Sequence, residues 1–356
     1  MIIDTAEKIG LDSGEICDFY RRNWNKPVIL SDRKFYNWQF IGGPQSKAND
    51  CLVAYDERKK IIAGVMGLNA RTFILGGESL KGAELTTWIV SEEYRTSGCG
   101  AKMLMKLMQD YEVLFGMGIS EDALKVYLRM GFKFLREIPR FLKIINLDRI
   151  SKYLEISQLG LKLMKMTNVQ KEIEAEEFND LEELSEIADM FSSGLNHFSR
   201  NKSFLKWRYF DHPYFSYKCI RFSSGSKSCV IVYRIDFPDS EFRIAHLTDI
   251  LGDDEIFSQA IYKFCNLLET MEIDIVDFYC TSSRVYSHFL YNNWFSIKDE
   301  SFVRFPHLFS PIEMVEPLST SLIYWARDGL RELADMGKLY VTKQDCDLDR
   351  PTLRDE

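Results

Sequence analysis

The sequence predicts an α/β (α+β) protein built as two tandem units, the second a degenerate copy of the first. Three observations carry this. The segment FYNWQFIGGP at 35–44 returns as FLKWRYFDHP at 204–213, with Phe, Trp, an aromatic and Pro at the same spacings. The order of predicted elements around the two segments also repeats, which points to duplication of one α/β unit. A glycine-rich strand-to-helix junction, YRTSGCGA at 94–101, occurs in the first unit and has no counterpart in the second. A chain of 356 residues is longer than one ordinary domain, so two are expected.

The elements follow in order. Residues 11–24 and 31–41 pattern as helices, with Ser13 and Ser31 as candidate N-caps. CLVAY (51–55) and IIAGVMGLNARTFIL (61–75) read as strands split by the charged turn DERKK, and ELTTWIV (84–90) alternates as a strand does. Residues 100–114 repeat apolar positions at helical spacing, 114–119 form a short buried strand, and EDALKVYLRMGF is a helix ending at Gly131. FKFLREIPRFLKIINL returns to strand. Residues 149–171 make a helical connector.

The order then restarts. A helix at 179–193 and the second Trp segment precede the paired strands YKCIRF and SCVIVYRI. AHLTDIL, the helix IFSQAIYKFCNLLETM, the strand IDIVDFYC, a helix around YSHFLYNNWF and the strand SFVRF follow. STSLIYWARDGLRELADM is expected to be a closing helix before a charged tail. The predicted divisions are 1–148, 149–171, 172–315 and 316–356.

Net charge is −8 with acids and bases interspersed, which argues against a general nucleic-acid or anionic-membrane binder. A small anionic ligand in a local pocket stays open. The eight cysteines form no CxxC pair and have no histidine at metal-ligand spacing, so they are expected to be reduced thiols and no metal is expected. No apolar run reaches the roughly 18 residues of a membrane span, and the N-terminus lacks a signal-like apolar region. A cytoplasmic protein is the expectation.

At 94–101 the small residues Gly98, Gly100 and Ala101 let a backbone approach a ligand at a helix N-terminus. Free amides and the positive end of the dipole suit a pyrophosphate there. VSEEYRTSGCG, followed about 20 residues later by ALKVYLRMGF, resembles the GNAT superfamily of acyl-CoA N-acyltransferases over residues 51–145. Glu92 stands where Pro is frequent, and Ser120 where many members carry Asn. The resemblance implies two GNAT folds, each a mixed, mostly antiparallel sheet flanked by helices. It implies that Arg95, Thr96, Ser97, Gly98, Cys99, Gly100 and Ala101 bind the CoA pyrophosphate, with Ser120 nearby. Trp88 and Val90 would offer backbone groups to the pantetheine and the acyl carbonyl.

Tyr127 matches the tyrosine that protonates the leaving thiolate, or else is a packing residue. Glu84 lies eleven residues before Arg95, as a base carboxylate does in some members, and strand parity puts it with Thr86, Trp88 and Val90. It is either that base or a strand-end ion pair.

The second unit has Asp253, Asp254 and Glu255 at the matching helix start, and acids there repel a pyrophosphate. Leu290 is expected in Tyr127's place, and Trp294–Phe295 in that of Gly131–Phe132. One active site is expected. Asn196, His197, Trp38, Trp207 and Arg208 are the candidate acceptor-binding residues, the two tryptophans being alternatively anchors of each unit. In the tail, Asp345, Asp347, Asp349 and Glu356 fall at calcium-loop positions, but Arg350 replaces the required glycine, so a solvated or docked tail is expected.

The tandem arrangement is similar to GNAT enzymes of bacterial polysaccharide pathways. It implies transfer of acetyl or a longer, 3-hydroxyacyl-type group from acyl-CoA to a nucleotide-linked amino sugar such as a dTDP-3-amino-3,6-dideoxyhexose. A peptide, antibiotic or metabolite amine as acceptor, or acyl-CoA binding without catalysis, are the alternatives.

Overall fold

The computed structural model describes residues 1–46, 48–166, 170–191, 194–238, 242–298, 301–309, 312–313, 319–329, 333, 335–346 and 349–353. A strand, β1 (Ile2–Thr5), and a single turn, α1 (Ala6–Ile9), open the chain. The next helix, α2 (Ser13–Asn23), begins at Asp12, which accepts from the Glu15 amide while Glu15 accepts from the Asp12 amide. Asp32 caps α3 (Arg33–Phe40) by accepting from the Phe35 amide at 2.8 Å. The caps are therefore these aspartates and not Ser13 and Ser31. A carboxylate is the stronger acceptor, and it also meets the positive end of the helix.

Strands β2 (Leu52–Asp56), β3 (Ile61–Leu75) and β4 (Glu78–Val90) form an antiparallel run. The β3–β4 hairpin turns on Gly76 and Gly77, both at positive φ, as a two-residue hairpin loop demands. Then come α4 (Cys99–Asp110), β5 (Val113–Met117), α5 (Glu121–Arg129) and β6 (Lys133–Leu135). β7 (Arg140–Ile144) leads into a connector made of short pieces: α6 (Leu147–Ile150), β8 (Glu155–Ile156) and α7 (Gln158–Met164).

The second half contains β9 (Glu174–Phe178), α8 (Leu181–Met190), β10 (Asn196–Phe198) and α9 (Lys202–Leu205), which runs into a π-helical turn at Lys206–Phe210. β11 (Lys218–Ser224), β12 (Lys227–Asp236), β13 (Ile244–Gly252), α10 (Phe257–Thr270), β14 (Ile275–Tyr279) and α11 (Ser283–Tyr291) follow. The short strands β15 (Phe295–Ser296), β16 (Val303–Arg304), β17 (Leu308–Phe309), β18 (Ile312–Glu313), β19 (Leu322–Ala326) and β20 (Leu339–Tyr340) complete the chain.

The main strand order is β1-β2-β3-β4-β5-β19-β6 in the first sheet and β15-β7-β14-β13-β12-β11-β9 in the second. Each main strand order thus includes, next to an end strand, one from the other half. β19 lies between β5 and β6, while β7 pairs with β14 and β15. This corrects two expectations. Residues 322–326 are a strand and not part of a closing helix, and 140–144 belong to the second sheet. LIYWA offers apolar residues at both helical and strand spacings, so only the vacant edge of β5 decides between them.

Corresponding positions in the two parallel strand pairs lie 162 residues apart: Gly82 opposite Val113 in the first sheet, Ile244 opposite Ile275 in the second. Trp38 and Trp207 meet where the units join. Their rings stack at 4.8 Å, and each indole N–H donates to the other's backbone carbonyl, at 3.0 and 2.8 Å. Such reciprocity is the mark of a twofold contact, here within one chain.

Candidate active site

β4 and β5 run parallel and paired only from Gly82 and Val113 to Leu85 and Gly116. β5 ends at Met117 while β4 continues to Val90, so the strands part and leave backbone groups of 86–90 without a β5 partner. A β-bulge lies at the parting point. Thr86 pairs with Gly67 and Ile89 with Val65, leaving Thr87 and Trp88 opposite Met66 alone, and Thr87 takes φ +44. The Tyr20 hydroxyl donates to the Thr87 carbonyl at 3.1 Å and supports this conformation.

The bulge reverses the side-chain alternation. Before it, Ala83 and Leu85 pack into the core beneath α4 and α5. After it, Trp88 and Val90 do so, while Ile89 packs on the α2–α3 side. Glu84 and Trp88 therefore do not share a face, contrary to the parity expectation. Glu84 is buried in the paired part of the strand, and its Oε2 accepts from Asn69 Nδ2 at 2.7 Å. The structure places it in a structural hydrogen bond rather than at the strand opening.

The opening is walled by α4 and α5. Gly98 precedes α4 at φ +75, a conformation that costs other residues about 1–2 kcal/mol. Arg95, Thr96, Ser97 and Gly98 are exposed, Cys99 is buried, and Gly100 and Ala101 are half-buried. Ser97 is partly occupied: its hydroxyl donates to the Tyr94 carbonyl at 2.7 Å and accepts from the Cys99 amide at 3.3 Å. A Cβ on Gly100 would lie 2.6 Å from Trp88 Cζ2, so this glycine lets the α4 backbone close onto the indole. Trp88 Nε1 is buried without a hydrogen-bond partner among the described residues.

Tyr127, on α5, packs edge-on to Trp88 at 5.3 Å and to Phe132 at 4.9 Å. Burial alone pushes its hydroxyl pKa well above the usual tyrosine value, so it stays protonated at neutral pH. Ser120 caps α5 by accepting from the Ala123 amide at 3.4 Å. Trp88, Gly100 and Tyr127 thus meet beside the opening.

The second unit retains the scaffold but not the glycines or the tyrosine. The residue 162 after Tyr127 is Phe289. Phe289 and Trp294 repeat the edge-on contact of Tyr127 and Phe132 at 4.9 Å, and Asn293 takes the positive φ of Gly131. The counterpart of Tyr127 is therefore Phe289 and not Leu290, which is exposed. Asp253 and Asp254 accept from the Ser228 amide and from Arg284, and Glu255 pairs with Lys227.

The C-terminal segment enters the gap between β13 and β14. Cys280 bridges Thr342, Val341 donates to Thr281, and the Tyr340 hydroxyl donates to Asp249 at 2.6 Å. The amide of Ile250, which matches Trp88, donates to the Tyr340 oxygen at 3.2 Å. That feature could not be read from the sequence, because it depends on where a distant segment docks.

The candidate acceptor residues form the joint between the units. Asn196 and His197 lie on β10, which pairs with β3 and β20; Asn196 Oδ1 accepts from the Gly76 amide at 3.0 Å, and the His197 ring contacts its neighbour's carbonyl. Burial and Arg200 lower the His197 pKa to about 4, so it is neutral at pH 7. Arg208 is buried against Asp349, and Trp38 and Trp207 are each other's partners. All five are engaged in packing or pairing within the fold.

The tail is docked. Asp345 meets Arg71 at 3.1 Å and Arg200 at 2.7 Å, and Asp349 meets Arg208 and Arg234. A cavity of about 340 Å³ opens past the end of β5, between the two units, with Ile119, Arg136, Tyr279 and Lys343 in its wall.

No known family profile matches the chain, and no curated protein sequence matches it. Solved structures do. A GCN5-related N-acetyltransferase from Anabaena variabilis matches 91% of this chain and 72% of its own, with TM-score 0.57 and 12% identity. A conserved Enterococcus faecalis protein named as a probable N-acyltransferase matches the same shares at TM-score 0.59 and 9% identity. Saccharomyces cerevisiae N-myristoyltransferase with bound myristoyl-CoA matches 91% of this chain and 78% of its own at 0.51 and 10%. At such identities the likeness shows the fold: a GNAT-type α/β architecture with sheets flanked by helices. No helix among the described residues is long and apolar enough to cross a membrane.

Proposed function

We propose that the chain is an acyl-CoA-dependent N-acyltransferase with a single active site, in the first unit. The observation that carries the reading is the parting of β4 from β5 after Leu85 and Gly116, directly beside the Gly98-led N-terminus of α4 and the buried Tyr127. The fold shared with N-acyltransferases, one of them holding myristoyl-CoA, supports it. In this reading the α4 amides take the pyrophosphate of the donor. The thioester lies along β4, where a backbone N–H past the bulge stabilises the oxyanion. The acceptor amine attacks the thioester carbon, the C–S bond breaks, and the thiolate takes a proton from Tyr127, which regains one from the amine.

Glu84 is not given the role of base, because it is held by Asn69 within the paired part of the strands. Filling of the second gap by 339–342 supports one donor site per chain. For the acceptor we propose the amine of a nucleotide-linked amino sugar, and for the acyl group acetyl or a longer chain. The test is calorimetric titration with CoA, followed by thiol release from acetyl- and longer acyl-CoA with dTDP- and UDP-linked amino sugars, peptides and simple amines. The expected result is one CoA per chain and amine-dependent thiol release. Two CoA per chain, or no binding, overturns the reading.

A further inference from the structure

The cavity past β5 has an electrostatic character that the ion pairs around it explain. Asp349 is already held by Arg234 at 2.8 Å, Arg208 at 3.1 Å and the Tyr217 hydroxyl at 2.6 Å. Asp277 is held by Arg140 at 2.9 Å and by His246 at 2.6 Å. Asp236 lies 3.3 Å from Arg234. Lys343 is the additional cation. Its ammonium is 3.9 Å from Asp349, beyond hydrogen-bond reach, and 5.7 Å from the centre of the Tyr279 ring. Among these paired groups four cations, Arg140, Arg208, Arg234 and Lys343, face three carboxylates. The surplus charge lies at the cavity wall, where the Lys343 side chain keeps 13% exposure.

Two hydroxyls of the wall are taken up by the fold. The Ser321 hydroxyl accepts from the Ile119 amide at 3.0 Å, and Ser319 donates to the Ile138 carbonyl at 2.7 Å. Lys343, from the docked C-terminal segment, and the exposed Arg136 are the lysine and arginine of a wall that also holds His307. The cavity also adjoins the chemistry. Gly118 and Ile119 in its wall directly follow β5 and lead into α5, and Ile119 packs in the same core cluster as Tyr127 and Trp88.

We propose that this cavity receives the acceptor of the acyl transfer and selects amines that carry an anionic group, a phosphate or a carboxylate, bound by Lys343 with Arg136. This rests on the acyl-transfer reading above. An ammonium meeting a phosphate or carboxylate forms a charge-assisted hydrogen bond, stronger than a neutral one and further strengthened by burial.

The test compares matched amines with the full chain: glucosamine 6-phosphate against glucosamine, β-alanine against its methyl ester, and a dTDP-linked amino sugar against its methyl glycoside. At least one anionic member is expected to exceed its neutral partner about tenfold in kcat/KM. Lys343→Met should remove that preference with KM for acyl-CoA unchanged, and Lys343→Arg should restore it. The pair that responds identifies phosphate or carboxylate as the group read. Transfer without preference, or a preference that survives Lys343→Met, overturns the proposal. If Lys343→Met does not fold, Arg136→Gln carries the same comparison.

Should no amine be acylated, the acyl-transfer reading fails, and titration with inorganic pyrophosphate still decides the cavity. Binding weakened about tenfold by Lys343→Met supports it; no binding, or binding indifferent to the variant, overturns it.

Discussion

Tyr127 combines two properties that can be separated by one atom. Its ring fills the space between Trp88 and Phe132, and its hydroxyl is what Phe289 lacks in the second unit. Tyr127→Phe keeps the packing and removes the proton donor. Turnover is expected to fall about 100-fold, in line with loss of a general acid, while CoA affinity and thermal stability stay near those of the parent. Unchanged turnover would assign Tyr127 to packing alone. At this scale the sequence was informative wherever the backbone is regular. Gly98, Gly131 and Tyr127 stand where their motifs predict, because a left-handed glycine and a helical spacing are local properties. Glu84 does not share the face of Trp88 because of a bulge that the sequence does not mark: the Thr87–Trp88 pair carries no signature such as glycine, and one extra residue turns every later side chain over.

The C-terminal segment shows how an element can be held by charge. Burial raises the Asp349 carboxyl pKa, and Arg234, Lys343 and Arg208 more than reverse this, holding it well below the usual carboxylate range. Asp349→Asn leaves Arg208 and Lys343 buried without their carboxylate and Arg234 with Asp236 alone, and is expected to cost about 3–5 kcal/mol in urea unfolding. A carboxyl whose folded pKa is depressed stabilises fully above about pH 4 and loses that contribution as pH falls further. The stability gap between parent and variant should therefore be constant near neutrality and narrow below about pH 4. A gap independent of pH would mean that the aspartate acts by shape. Asp345, Asp347, Asp349 and Glu356 have calcium-loop spacing, and nothing local to the tail indicates that the partners of Asp345 and Asp349 are arginines more than 100 residues away; Asp347 and Glu356 lie outside the described residues.

As a whole, the molecule is two units that cannot be cut apart at the connector. β3 occupies 61–75, as the strand pattern predicted, and most other elements fall within a few residues of expectation. The exchange of β7 and β19 was not legible, since strand patterns report a strand's faces and not its neighbours. A chain ending at residue 313 keeps Arg95, Gly98, Gly100 and Tyr127 but loses the strand that separates β5 from β6. It is expected to lose CoA binding and cooperative unfolding together, whereas the full chain should unfold in one transition by both circular dichroism and tryptophan fluorescence. A truncated chain with full CoA affinity would contradict this.

The same exchange orders events during synthesis. The amide of Ile119 waits for the hydroxyl of Ser321, 202 residues further along. At about 5–20 residues per second the ribosome takes on the order of 10–40 s to deliver that stretch. Through nearly all of that interval the edge of β5 is bare on the nascent chain, although Gly98, Gly100 and Tyr127 have already been made. The first unit to be made is thus completed only once residues 322–326 of the second half have been made, and the unfinished edge is the surface a ribosome-associated chaperone would meet.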